Sequence, residues 1–250
     1  AGLQTSAVIC EVMGEDGHMA KRPELEIFAK THGLPILTIE ELVEHRLREE
    51  ALVEAIDVAS FPSAFTEAPM QVHAFRSLVD GIEHLAIVKP CAAGVTPLVR
   101  IHSECLTGDA LGSLRCDCGQ QLQQALALIS QSEGGALIYM RGQEGRGIGL
   151  ANKIRAYALQ DKGMDTVEAN TALGFGADLR SYAVAAQILR SLDMTSVDLL
   201  SNNPQKASGL SSYGIDVAQQ RPLVIAPNPF NKHYLATKSE KFGHSLSHQI

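Results

Sequence analysis

The spacing of apolar and polar positions changes several times along the chain, and each change marks a candidate element. Ala7-Val-Ile-Cys-Glu-Val-Met is a compact apolar run that reads as a strand, Glu15-Asp-Gly-His is a turn, and Pro23 to Lys30 has the helical period. Leu34 to Ile39 reads as a second strand. Thr38 and Glu41 have capping-box spacing and open a charged helix expected to run to about Ala59. Phe-Pro, Glu-Ala-Pro and small residues between Ser60 and Pro69 read as a linker. Met70 to Val79 and His84 to Lys89 are strand-like runs joined across Asp80-Gly81, a hairpin signal. Leu98-Val-Arg-Ile-His is expected to extend this antiparallel meander.

Helical spacing returns at Leu122, Ala125, Leu126 and Ile129, followed by an apolar strand, Ala136 to Met140. A glycine-rich stretch, Arg141 to Gly149, then opens a helix from Leu150 through Tyr157. Gly174 to Arg180 leads into a helix ending near Leu189, Val197 to Ser201 reads as a strand, and a basic helix from Tyr234 to Phe242 closes the tail after Pro222-Leu-Val-Ile. The predicted class is α+β: mixed, largely antiparallel sheets with packed helices, and a small αβ unit in front. The expected division is residues 1–59, a linker at 60–69, and a main domain over 70–250.

The chain's 250 residues suffice for a sizeable core. A net charge of −7 argues against general nucleic-acid binding, and the apolar runs are too short to span a bilayer. The acid is concentrated between Glu11 and Glu83. From Arg100 onward the signs balance, and Arg100, Arg115, Arg141, Arg146, Lys153, Arg155, Arg180 and Lys206 lie among glycines and polar turns, where an anion would bind. The five cysteines are odd in number and three are clustered, which fits metal chemistry in a reducing compartment better than a secreted disulfide framework; the expected location is the cytoplasm.

That cluster is Cys105, Cys116 and Cys118. Spacing alone fits buried or free thiols equally well, but charged residues between the thiols favour a site for one soft ion, zinc above all. Three protein ligands leave a fourth position for water, as in catalytic sites. An extended backbone at Cys116-x-Cys118 would let both sulfurs converge. The glycine-rich run into the Leu150 helix offers unpaired N–H groups and a positive dipole end to an anion, with two arginines beside it. It lacks the Lys-Ser/Thr of a Walker A loop.

Several segments together resemble GTP cyclohydrolase II: His102-Ser-Glu-Cys-Leu-Thr-Gly-Asp-Ala, Arg115-Cys-Asp-Cys-Gly, Glu144-Gly-Arg-Gly-Ile-Gly-Leu, Lys153-Ile-Arg-Ala-Tyr-Ala-Leu-Gln, Asp165-Thr-Val-Glu-Ala-Asn, Asn202-Asn-Pro, and Thr237-Lys with Gly243-His. The resemblance implies a zinc-dependent hydrolase of riboflavin biosynthesis. It would open the imidazole ring of GTP, release formate and pyrophosphate, and leave a diaminopyrimidinone ribosylamine phosphate. It also implies one Zn²⁺ on Cys105, Cys116 and Cys118, Mg²⁺ carried with the triphosphate, and a homodimer with neither nucleic acid nor membrane as partner.

Carried over residue by residue, Tyr157 serves the ring step, and Asp178 and Arg180 serve the phosphate end. Arg180 is either a nucleophile activated by Asp178 or a clamp on the α-phosphate. Arg100, Ile101, His102, Ser103, Glu104, Gln121, Glu144, Gly145, Arg146, Thr166, Ser201 and Lys206 match substrate-binding positions. Gly142 is a departure, since some members pass from Arg directly to Gln or His; it is expected to shift Arg141 and leave Glu144 to Arg146 intact. The opening segment, with Ile9-Cys-Glu-Val and Phe28-Ala-Lys-Thr-His-Gly-Leu, resembles the C-terminal end of 3,4-dihydroxy-2-butanone 4-phosphate synthase. Glu11 would match a substrate-site glutamate there, but the synthase's other motifs are absent and no synthase activity is expected. The alternative for the whole chain is an inactive, zinc-stabilised GTP-binding or scaffold module.

Overall fold

The computed structural model describes residues 3–176, 178 and 180–242, so the Gly243-His motif lies outside the described residues. The chain divides into two units, Ala1–Arg46 and Leu47–Ile250.

In the first unit, helix α1 (Arg22–His32) carries Pro23 in its first turn and ends at Gly33, whose φ of 64° is left-handed. Helix α2 (Ile39–Glu49) begins with the expected box: Thr38 N donates to Glu41 Oε2 at 2.8 Å and Glu41 N to Thr38 Oγ1 at 3.1 Å. The two expected strands do not form. Residues 7–12 lack regular structure, a single bridge joins Met13 and Met19, and Val8 and Ile9 are 96% and 94% exposed. An extended run becomes a strand only when a neighbour takes its backbone groups.

The second expectation to fail is the long helix. It stops at Glu49, and Val53–Phe61 is instead strand β1. Gln187 explains the break: its buried amide donates to the carbonyls of Leu47 (2.8 Å) and Glu50 (3.0 Å), and its oxygen accepts from Leu52 N (2.7 Å). These bonds satisfy the open helix end and start the strand.

In chain order there follow β2 (Met70–Ser77), β3 (Glu83–Lys89), β4 (Leu98–Ser103), α3 (Leu106–Asp109), α4 (Cys118–Gln131), β5 (Gly135–Met140), α5 (Leu150–Gln160), α6 (Thr166–Ala172), α7 (Ala183–Ser191), β6 (Ser196–Leu200), α8 (Pro204–Ser211), β7 (Asp216–Arg221) and α9 (Lys232–Phe242). The strands form one sheet in the order β1-β2-β3-β5-β4-β6-β7. Pairings are antiparallel from β1 to β5 and parallel from β5 to β7. The α+β class holds, and so does the hairpin, with Gly81 at φ 73°. The meander ends at β3, however. β5 lies between β3 and β4, because α4 carries the chain across before β5 returns parallel to β4.

One face of the sheet packs Val99, Ile101 and Ile138 against Ala185, Ile188 and Leu189 of α7; the other packs Leu137 and Leu98 against Ala125, Leu126 and Ile129 of α4. From β4 the chain goes to β5 on one side and later to β6 on the other. β4 is therefore a topological switch point, and a crevice opens beyond the carboxyl ends of β4, β5 and β6. Among the described residues no helix is long and apolar enough to cross a membrane.

Candidate active site

The three cysteines meet at this crevice. Their sulfurs lie within 4.8 Å of one another, with Cys105 and Cys116 3.7 Å apart. Sulfurs around a tetrahedral zinc, each about 2.3 Å from it, are about 3.8 Å apart, so the donor set fits that ion. The backbone at Cys116-x-Cys118 is not extended as expected. Cys116 and Asp117 lie in a bend, and Cys118 is the first residue of α4. Convergence comes instead from close approach of α3 and α4. A Cβ on Gly119 would lie 2.3 Å from Gly108 O, and one on Gly108 would lie 2.8 Å from Cys116 Sγ. Only glycine permits either contact.

Hydrogen bonds from Cys116 and Cys118, with help from Lys153, pull the Cys105 thiol far below its ordinary value, and the Cys105 charge pushes Cys116 up to about 11. Ionising all three calls for a cation among them.

Asp109 anchors the ligand loop. Its carboxylate accepts from Cys105 N (3.0 Å) and Tyr139 Oη (2.8 Å) and contacts His102 Nε2 at 3.1 Å, while the His102 and Tyr139 rings stack at 5.5 Å. Below the cluster, Asp117 accepts from Gln121 Nε2 (2.6 Å) and Lys238 Nζ (2.8 Å), and Gln121 in turn accepts from Arg100.

The glycine-rich run after β5 makes a single 3-10 turn, Glu144–Arg146, with Gly142, Gly145, Arg146, Gly147 and Gly149 all at positive φ. Gly142 N donates to Glu104 Oε2 at 2.8 Å, so the residue that departs from some family members also ties the run to the end of β4. Glu144 accepts from Leu106 N (2.7 Å) and Lys153 Nζ (2.6 Å). Lys153 also reaches Cys105 Sγ (3.0 Å) and Thr107 Oγ1 (2.9 Å). One turn further along α5, Tyr157 Oη lies 3.4 Å from Thr107 Oγ1 with the Arg115 guanidinium 4.9 Å from its ring centre. Burial pushes the Tyr157 hydroxyl up, so it stays protonated and can donate.

In the same crevice, cations crowd together. Arg180 pairs with Asp178 through both Nε and Nη2, and its Nη1 donates to Ser103 Oγ at 3.2 Å. Burial would lower the Arg180 guanidinium, yet its carboxylate partner holds it above the usual range; burial likewise raises Asp178, and Arg180 outweighs it. Lys206 donates to Ile101 O at 2.7 Å, and burial beside Arg100 and Arg180 pushes it well below an ordinary lysine. Arg100 and Arg146 are also lowered, chiefly by burial. Cations left so close together favour an anion between them.

One cleft takes in both the thiols and the cations. The thiols, Arg100, His102, Ser103 and Glu104 line it, as do Gln121, Glu144 to Arg146, Tyr157, Thr166, Arg180, Ser201 and Lys206. The Ile101 side chain packs into the core and contributes only its carbonyl, while Asp178 acts through Arg180.

The GTP cyclohydrolase II family profile matches residues 54–222. The chain belongs to the GTP cyclohydrolase II family. A profile of 3,4-dihydroxy-2-butanone 4-phosphate synthase matches residues 1–45. Among its relatives, riboflavin biosynthesis protein RibBA of Synechocystis sp. is 50% identical, over 98% of this chain and 44% of that protein; RibBA of Aquifex aeolicus is 49% identical, over 98% and 60%. The chain thus spans about half the length of the curated relatives it matches. A crystal structure of RibBX from A. baumannii, described as a two-domain 3,4-dihydroxy-2-butanone 4-phosphate synthase, is similar at TM-score 0.50 and 26% identity, over 86% of this chain and 53% of that one.

In this member of the cyclohydrolase II family, sequence reading gave no role of their own to Asp109, Asp117 and Lys238, and counted Lys153 only among the cations where an anion would bind. Asp109 and Asp117 lie inside the cysteine motifs, and Lys153 precedes Tyr157 by one helical turn, the spacing of side chains on one face. Lys238 is far from the cysteines in sequence, and only the tertiary fold brings it there.

Proposed function

We propose that the chain is a zinc-dependent GTP cyclohydrolase II that opens the imidazole ring of GTP, releasing formate and pyrophosphate and leaving a diaminopyrimidinone ribosylamine phosphate for riboflavin biosynthesis. The observation that carries this reading is that, in a chain of this family, three convergent thiols and a set of buried cations open into one cleft. Cys105, Cys116 and Cys118 would hold the zinc. When bound, the ion supplies Lewis acidity, polarising an electrophilic carbon and making water nucleophilic at neutral pH. Tyr157 donates a proton during ring opening. Arg146, Arg180 and Lys206 bind the triphosphate, whose Mg²⁺ is held by phosphate oxygens and water.

For Arg180 the two hydrogen bonds it donates to Asp178 support the clamp over the nucleophile, because the pairing strengthens its hold on the proton. Glu144 and Gln121 already bond to the protein's own donors and acceptors, which supports a role in shaping the cleft. A synthase remnant ahead of a homodimeric, cytoplasmic cyclohydrolase domain belongs to the same proposal, and membership of β1 in the sheet supports a boundary ahead of Val53.

The test is to incubate zinc-loaded protein with GTP and Mg²⁺ and measure formate and pyrophosphate. Both should appear in equal amounts; a folded, zinc-loaded chain that releases no formate overturns the reading. The RibBX likeness keeps one alternative in play, a GTP-binding or scaffold module, since that relative is described by its synthase activity. That alternative predicts GTP binding without formate.

A further inference from the structure

Asp117 occupies the N-cap position of α4, where an aspartate ordinarily bonds its own helix's N–H groups. Here it makes no such bond. Its carboxylate turns away and accepts from Gln121 Nε2 at 2.6 Å and from Lys238 Nζ at 2.8 Å. Both members of the ion pair are buried, Asp117 at 1% and Lys238 at 9% exposure. Lys238 is on α9, one turn from Tyr234, whose ring centre lies 4.4 Å from its Nζ, and both residues line the cleft. Because Gln121 also accepts from Arg100 of β4, the bonds join α9, α4 and β4 beneath the thiols.

Asp117 stands between two of the three thiols, with φ −104° and ψ 8°. Rotation of that residue would swing Cys116 and Cys118 in different directions, so whatever fixes the Asp117 carboxylate also fixes the angle between the two sulfurs. We infer that Lys238 is a positioning residue for the metal site: through Asp117 it holds the Cys116 and Cys118 sulfurs convergent. The inference rests on the reading of the thiols as a zinc site, and Lys238 acts on that site through Asp117.

The experiment follows zinc loss from the full zinc-loaded chain to an excess of a coloured chelator, with thermal unfolding measured alongside. Lys238→Met should release zinc about 10- to 100-fold faster, the usual range for losing a partner of a metal ligand's surroundings. Lys238→Arg should restore slow release. Asp117→Asn breaks the pair from the other side and serves if Lys238→Met does not fold; adding Lys238→Met to it should have no further effect. Leu235→Ala, which removes a buried side chain of α9 without touching the pair, should lower Tm and leave zinc release from the folded chain unchanged. Release from folded Lys238→Met within about twofold of wild type, or equal acceleration by Leu235→Ala, overturns the inference. A wild-type chain that takes up no zinc would overturn the metal reading and this inference together.

Discussion

The two halves of one sheet are built differently, and the candidate site lies at only one of them. In the antiparallel half, β1 to β3, the edge strand β1 is exposed along most of its length, and the hairpin turns are set by local signals such as Asp80-Gly81. In the parallel half, β5, β4 and β6 are buried on both faces, and their carboxyl ends supply Cys105, the glycine-rich run and Ser201. Parallel strands need crossover helices, which bury both faces and collect loops at one end of the sheet. The antiparallel half reaches those loops from behind: His84 Nδ1 of β3 accepts from Arg141 N at 3.2 Å. One half carries the candidate site and the other supports its loops, so substitutions in the two should differ sharply.

The largest effect is expected at Cys116→Ser. With two thiols left, the site should bind zinc too weakly to stay loaded, and formate release should fall on the order of a thousandfold or more, toward the uncatalysed rate. Metal analysis and a formate assay on the same preparation check it; retained zinc with full activity would remove the thiols from the mechanism.

Arg180→Met comes next. Losing a buried cation aimed at phosphate should cost about 10²- to 10³-fold in turnover. Asp178 would be left buried without its partner, so Tm should also fall. A drop in turnover without any covalent nucleotide adduct on the wild-type chain would favour the clamp, whereas a trapped adduct at Arg180 would restore the nucleophile.

Lys206→Met should separate stability from function. The folded state holds the Lys206 ammonium well below its ordinary pKa, so the unfolded chain binds that proton more tightly. Stability therefore rises with pH from the folded value up to the unfolded one near ~10.4 and is lowest below that window. Burying the charge costs several kcal/mol, against about 1 kcal/mol for the lost bond to Ile101 O. The variant should accordingly melt a few degrees higher near neutral pH, show a flatter rise of Tm with pH, and bind GTP about tenfold or more weakly, as calorimetry and an equilibrium binding assay would show.

What could be read from the chain follows the range of the forces involved. The Thr38–Glu41 box, the Asp80-Gly81 hairpin and the α4 stripe depend on residues within a few positions, and all three are present. The end of α2 was hidden because Gln187, 137 residues from Glu50, supplies the bonds that stop it. The cysteine motif picked out the three thiols that converge, but their geometry depends on Gly108 meeting Gly119 across two helices. Lys238 was unreadable for the same reason: no local pattern pairs it with Asp117, 121 residues away. Strands Ala7–Met13 and Leu34–Ile39 failed in the opposite way, with a convincing local pattern and no partner strand.

The smallest effect is expected on the antiparallel edge, at Val58→Thr. Val58 is 50% exposed and pairs with His73, remote from the thiols and from the cations. Threonine keeps the β-branched shape that suits a strand, and its hydroxyl can reach water, so stability should change by less than about 0.5 kcal/mol. Zinc content, formate release and GTP affinity should match wild type. If formate release fell severalfold while Tm held, the antiparallel half would have to transmit more than static support, and the His84 bond to Arg141 N would be the first link to probe, since it is a direct bond from that half to the glycine-rich run.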